Sequence, residues 1–391
     1  MSKHLCSFCD KEINPSSFFI EGNNASMCED CVNLYHQIIK IGQNEIKSKE
    51  FIKNCKDNLF SPRMIYEKLN EMVISQDSVK KILSVALYQH YKRITDPSLS
   101  ELEKPNILMI GPTGVGKTLL VKSMAKILNL PLAICDATVY TQAGYVGEDV
   151  ENILLNLLQR ADYNIELAQK GIVFIDEFDK LARKGENPSI TRDVSGEGVQ
   201  NSLLKIIEGN VVNVPPQGGR KHPYQEFIKF DTSKVLFICA GSFDGIDIND
   251  TSSIGFGQRL QTKSKNDTDK LKRFGIIPEI LGRLPVIAKL NSLTVDDLEK
   301  ILTVPKNAII KEYQMLFASD NIKLTFTKDA IKHIAKEAYS EGTGARALRK
   351  ILEEKMTDII FELPYNKQIN QITIKDDNII YASVGDEIPI A

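Results

Sequence analysis

ILMIGPTGVGKT, residues 107–118, is the stretch from which the rest of the chain is read. Ile107–Ile110 are four apolar residues in a row, suited to a strand buried on both faces. The residues that follow fit G-x-x-x-x-G-K-[ST]. Gly111, Gly114 and Gly116 let backbone N–H groups turn toward a phosphate. Lys117 can reach the β and γ oxygens, and Thr118 offers a hydroxyl to Mg²⁺. Pro112, Thr113, Val115 and Leu119 complete the candidate nucleotide-binding segment. A strand, a phosphate loop and a helix in that order predict an α/β fold.

A second stretch strengthens the first. Ile172-Val-Phe-Ile-Asp-Glu177 pushes a buried strand to the carboxyl edge of a parallel sheet, where ligands of open α/β folds bind. Asp176 is placed to hold the Mg²⁺ and Glu177 to polarise an attacking water. Further outward, Val235–Cys239 reads as another buried strand. Residues 148–163 carry Val150, Ile153, Leu154, Leu157 and Leu158 at helical spacing. Such alternation predicts a parallel sheet covered on both faces.

Beyond about residue 290 the pattern changes. Thr294 with Asp297 forms a capping pair opening a helix through Val304. Pro305 interrupts it, and the helical period resumes over 306–317. A strand at 322–326, a helix capped at Thr327, a helix after Gly344 and strands at 372–374 and 379–382 follow. The expected division is a head over 1–50, a linker over 51–62, a large α/β domain over 63–290 and a small α-rich domain over 291–391.

Seven cysteines are unevenly spread over the 391 residues. Cys6-x2-Cys9 and Cys28-x2-Cys31 are two hooks at a separation that fits a closed, four-thiolate Zn²⁺ site. An odd total with no apolar leader argues against a disulfide framework. With 49 Lys plus Arg against 51 Asp plus Glu, the net charge of -2 favours neither nucleic acid nor an anionic membrane. No apolar run approaches the roughly 20 residues that span a bilayer, so a cytoplasmic protein is expected. Among phosphate-loop enzymes a GTPase is disfavoured, because the nearest string to N-K-x-D, at 366–369, lacks the Asp. Neither H-E-x-x-H nor G-x-S-x-G occurs, so no peptidase is expected.

Longer motifs carry a resemblance. GPTGVGKT (111–118), GYVGEDVEN (144–152), RDVSGEGVQ (192–200), VPPQGGRKHP (214–223), FGIIPEILGRLP (274–285) and TGARALR (343–349), with the four-cysteine head, resemble the ClpX family of AAA+ ATPases. These are unfoldases that deliver proteins to the ClpP peptidase. The resemblance implies a homohexamer, ATP, Mg²⁺ and Zn²⁺ as cofactors, protein substrates and adaptors as partners, and no intrinsic peptidase. It also implies residue roles. Val73 and Ile74 would contact adenine. Arg283 would reach a neighbouring subunit's γ-phosphate, and Arg346 would couple nucleotide to the small domain. Tyr145 and Val146, the loop at Arg192, and Arg220, Lys221 and His222 resemble the substrate-gripping pore loops. Ile254, Gly255 and Phe256 resemble the tripeptide that plugs clefts on the peptidase ring, within a polar stretch from Asp244 to Lys272 expected to be an exposed loop. The chain departs from the family's usual pattern at Ser75, Ala240, Ser242 and Ala347, which leaves the reaction class unchanged. The rival reading is an ATP-driven nucleic-acid remodelling enzyme with a zinc-finger head; near-neutral charge counts against it.

Overall fold

A computed structural model of the chain describes residues 5–12, 18–22, 25–35, 60–141, 148–182, 196–215, 227–246, 263–362, 369–375, 378–383 and 386–389. The chain divides into two compact units, Met1–Leu59 and Phe60–Ala391.

In the first unit, Phe19–Glu21 (β1) and Ser26–Cys28 (β2) pair as an antiparallel hairpin, and residues 29–35 are helical. The hairpin delivers Cys28 and the helix Cys31. Cys6 and Cys9 come from a tight turn in which the Asp10 N–H donates to the Cys6 carbonyl at 2.9 Å. Sulfur is the core here: Cys6 and Cys31 are buried and pack with Phe19, Met27 and Cys28.

In the second unit, Pro62–Met72 (α1) opens with proline in its first turn, where a missing N–H costs nothing, and Ser61 caps it by accepting from Met64 N. Asp77–Thr95 (α2) follows. The central sheet has Ile107–Ile110 (β3), Leu132–Asp136 (β4), Ile172–Asp176 (β7), Leu236–Gly241 (β10) and Val286–Lys289 (β11) in the order β11-β3-β10-β7-β4, all parallel. β3 and β10 are buried at every position, and β7 is buried until Asp176. This order matters for chemistry: β10 lies between β3, which leads into the phosphate loop, and β7, which ends in the two acids. Val211–Val214 (β8) and Ile228–Asp231 (β9) form a separate antiparallel pair.

Two expectations are corrected here. The helix expected over 148–163 is confined to Asn152–Arg160 (α4); Glu148–Asp149 (β6) pairs instead with Tyr140–Thr141 (β5). Val150 is buried, but from the turn before the helix, so it mimics the helical period without belonging to it. Asp162 and Tyr163, both at positive φ, stop the chain from continuing. The polar stretch from Asp244 is not a loop through to Lys272, because Lys263–Phe274 (α6) is a helix anchored by the buried Leu271.

Past Leu290 the capping box at Thr294 and Asp297 opens Val295–Thr303 (α8). Ile309–Ser319 (α9) begins three residues later than the period suggested, after the turn that Pro305 starts. Lys323–Phe326 (β12) is followed by Lys328–Ser340 (α10), capped by Thr327, and by Ala345–Glu362 (α11). Ile369–Lys375 (β13), Asn378–Ser383 (β14) and Asp386–Pro389 (β15) join β12 in a four-stranded sheet, so this part carries more strand than expected. Phe317, Leu324, Met356 and Ile372 form its core.

Candidate active site and metal centre

Four elements converge on one cavity of about 860 Å³: the loop after β3, the end of β7, the end of β10 and the start of α11. That size is ordinary for a small-molecule site. Gly114 (φ 77) and Gly116 (φ 100) take the left-handed turns that only glycine adopts freely, and Lys117–Leu128 (α3) starts directly after them. The Lys117 ammonium donates to the Gly111 and Pro112 carbonyls of its own loop. Thr118 Oγ1 donates to Asp176 Oδ2 at 3.3 Å, and Asp176 Oδ1 accepts from Glu177 N at 3.0 Å. Glu177 is exposed to the cavity with φ 55 and ψ 31, a conformation costing a non-glycine residue about 1–2 kcal/mol. Burial holds the Lys117 ammonium below its usual range. The carboxylates of Asp176, Asp179 and Asp244 oppose that shift, and the Arg346 guanidinium reinforces it.

The lining of the cavity is mixed. Lys117, Asp176, Glu177 and Arg346 bring charged groups to it, and Val73, Ile74, Leu293, Ile301 and Ile309 bring apolar ones. A molecule carrying both an apolar ring and anionic oxygens matches this lining. Thr113, Val115 and Leu119 also line the cavity. Leu293, Ile301 and Ile309 escaped the sequence reading, since nothing in their local pattern separates them from core residues. Asp179, Ser242 and Asp244 escaped it as well.

Behind Ile74, Ser75 explains one departure from the family pattern. Its φ of 61 is the left-handed region, where glycine would be unstrained. Gln76 follows at φ 64 and exchanges two hydrogen bonds with the backbone of Asn291, at 2.7 and 2.9 Å. This pair fixes the apolar wall against the strand end at β11. Ala240 and Ala347 are both buried.

Arg346 enters because α11 begins against the phosphate loop. Ala345 N donates to the Gly114 carbonyl at 3.0 Å. A Cβ on Gly114 would lie 2.0 Å from the Thr343 oxygen, and one on Gly344 would lie 2.9 Å from the Gly114 backbone. Two bare glycines thus let the loop and the helix start touch.

Arg283 lies elsewhere. It ends Pro278–Arg283 (α7), lines a second cavity of about 220 Å³ and pairs with Glu208 at 3.2 Å. Its carbonyl accepts from Asn106 Nδ2, whose Oδ1 accepts from Phe237 N of β10, so its backbone is tied to the central sheet. Tyr145, Val146, Arg192, Arg220, Lys221, His222, Ile254, Gly255 and Phe256 lie outside the described residues.

In the head, the sulfurs of Cys6, Cys9, Cys28 and Cys31 lie within 4.8 Å of one another, with Cys9 Sγ and Cys28 Sγ 3.6 Å apart. A tetrahedral zinc site with Zn–S of about 2.3 Å separates its sulfurs by roughly 3.8 Å. The Cys28 N–H also points at Cys6 Sγ, at 3.3 Å, as suits a thiolate. The four residues fit the ion.

Family models match in three places. The ClpX C4-type zinc finger matches residues 4–40, the AAA domain (Cdc48 subfamily) residues 102–287, and the C-terminal D2-small domain of ClpB protein residues 293–375. Among curated relatives, the ATP-dependent Clp protease ATP-binding subunit ClpX of Porphyromonas gingivalis is 48% identical over 382 residues, covering 94% of this chain and 93% of the relative. The protein of the same name from Treponema denticola is 48% identical over 390 residues, covering 95% and 92%. That from Bacteroides thetaiotaomicron is 49% identical over 381 residues, covering 93% and 92%. With the AAA model spanning the phosphate loop and both acids, and identity near one half from head to small domain, this chain belongs to the ClpX family of AAA+ ATPases.

Proposed function

We propose that this protein hydrolyses ATP in a homohexameric ring, uses the energy to unfold protein substrates, and passes them to a ClpP-type peptidase. One observation carries the reading: Lys117, Asp176 and Glu177 face Arg346 of the C-terminal part across a single cavity. A nucleotide held between two parts of the chain can change their relative position when its γ-phosphate leaves. ATP is the substrate of this site with Mg²⁺, and the head takes Zn²⁺.

The residues divide the work. Val73 and Ile74 receive the adenine, and the loop from Pro112 to Leu119 wraps the phosphates. Thr118 and Asp176 would hold Mg²⁺, which would supply positive charge to offset that of the phosphates. Glu177 takes a proton from the attacking water as its oxygen bonds to the γ-phosphorus and the bond to the β-phosphate oxygen breaks. Arg346 sits where charge develops. Arg283, outside this cavity and half exposed, serves the γ-phosphate of a neighbouring copy, so hydrolysis requires the ring. Tyr145, Val146, Arg192, Arg220, Lys221 and His222 grip the substrate in the axial channel, and adaptors dock on the zinc head. Nucleic acid has no part in this reading, since a net charge of -2 offers no basic footprint. Among the described residues no helix is long and apolar enough to cross a membrane, in keeping with a cytoplasmic site of action.

Docking of the peptidase falls to Ile254, Gly255 and Phe256. One Phe and one Ile bury little area and bind weakly alone, but six copies on one ring gain by effective concentration, about 10²–10⁴-fold over a single contact. Phe256→Ala should therefore abolish co-sedimentation with the ClpP ring in the presence of ATP, while ATPase activity persists. Undiminished complex formation by the variant would remove the docking role.

A further inference from the structure

β10 ends at Gly241, between the phosphate loop and the turn that carries Glu177. On one side the Gly241 carbonyl accepts from Gly111 N at 3.2 Å. On the other, Asp179 is pressed against it: a Cβ on Gly241 would lie 2.5 Å from Asp179 Oδ1 and 3.0 Å from Asp179 Cβ. Only a glycine leaves room for that carboxylate. The next residue, Ser242, donates its hydroxyl to Asp179 Oδ2 at 3.0 Å and lies 2.9 Å from Asp244 Oδ2. Asp244 is exposed and can turn to water. Asp179 is only 7% exposed and cannot. Lys180 Nζ also lies 3.7 Å from Asp179 Oδ2, but from a half-exposed side chain; the Ser242 hydroxyl, at 3.0 Å, is the closer partner of this buried carboxylate and holds it in place.

Asp179 is two residues beyond Glu177, in the single 3₁₀ turn from Phe178 to Leu181. That turn starts from the left-handed conformation of Glu177, closed by Lys180 N donating to the Glu177 carbonyl at 2.9 Å. A non-glycine residue stays in such a conformation only where its surroundings over-determine it. Phe178 and Leu181 bury this turn in the core, and the carboxylate of Asp179, in the socket made by Gly241 and Ser242, adds its polar anchor on the sheet. From these contacts we infer that Asp179, clamped by Ser242, is a positioning residue for the catalytic base: it fixes the turn that aims Glu177 into the nucleotide cavity. The inference rests on the reading of Glu177 as the base.

The test is steady-state ATPase kinetics of the full chain, with ATP affinity measured separately by displacement of a fluorescent nucleotide. Misplacing a reacting group by ~1 Å can cost up to about a hundredfold, so Asp179→Ala should lower kcat at least about tenfold with affinity changed less than about threefold. Ser242→Ala should lower kcat in the same sense and Ser242→Thr should restore it. Asp179→Asn keeps an acceptor for the Ser242 hydroxyl and should retain most of kcat. A clamp is excluded if Asp179→Asn is as damaging as Asp179→Ala, or if Ser242→Ala matches wild type in kcat. Loss of ATP affinity without loss of kcat also overturns it. Glu177→Gln, run alongside, separates the two claims. If it turns over normally, the base assignment is wrong; if it is inactive while Asp179→Ala and Ser242→Ala match wild type, only the clamp is removed.

Discussion

Glu177→Gln should bind ATP and almost fail to hydrolyse it. The cavity keeps Lys117, Thr118 and Asp176, which do not depend on the Glu177 carboxylate, and the amide is the same size as the group it replaces. The proton acceptor is gone. A positioned general base contributes about 10²–10⁴ in rate, so kcat should fall at least about a hundredfold, or some 2.7 kcal/mol in the barrier. Single-turnover hydrolysis and equilibrium nucleotide binding separate the two effects. Lys117→Ala should show the opposite signature, weakened binding, because its half-buried ammonium is the cation of the phosphate loop. A Glu177→Gln protein that hydrolyses ATP near the wild-type rate would move the base elsewhere.

Replacing Cys6 and Cys9 by serine should unfold the head and spare the motor. Among the described residues of the head, Phe18, Ile20 and Leu34 are more than half exposed, and the buried ones are Cys6 and Cys31. Apparent zinc-binding energies of structural sites, about 10–16 kcal/mol, far exceed what such a core supplies. The unit Phe60–Ala391 has its own sheet and core and contains every residue of the nucleotide cavity. The variant should therefore lose its bound zinc by metal analysis and become protease-sensitive within residues 1–50. Its ATPase activity should stay near wild type. ATPase loss in a variant that still assembles would make the head part of the motor.

The nucleotide loop was legible because its spacing is its geometry: glycines at 114 and 116 are required by φ values of 77 and 100, and Lys117 is the first helical residue. The metal site was legible for the same reason, since two C-x-x-C hooks bring four sulfurs to one point. Thr118 and Asp176 could both be assigned to Mg²⁺, but their direct 3.3 Å contact could not be read from the sequence. That contact depends on β10 separating β3 from β7, and strand order is not written in a linear pattern. The apolar wall was hidden for a related reason. Leu293 and Ile301 reach the cavity only because the C-terminal part folds back on the sheet, held by Gln76 and Asn291 across 215 positions. Residues 263–272 were misread as loop because a helix whose one leucine is its buried anchor shows no apolar stripe. The Asp179–Ser242 contact joins residues 63 positions apart on different elements, and neither carries a motif of its own.

On this proposal, ATP hydrolysis performs mechanical work on proteins. The most direct measurement is loss of fluorescence from a stably folded reporter bearing a recognition tag, in the presence of the full-length protein and ATP, with and without added ClpP. Fluorescence should be lost only with ATP, persist in Glu177→Gln, and be lost irreversibly, with degradation of the reporter, when the peptidase is present. Continued ATP hydrolysis with an intact reporter under both conditions, across tags placed at either end, would contradict it.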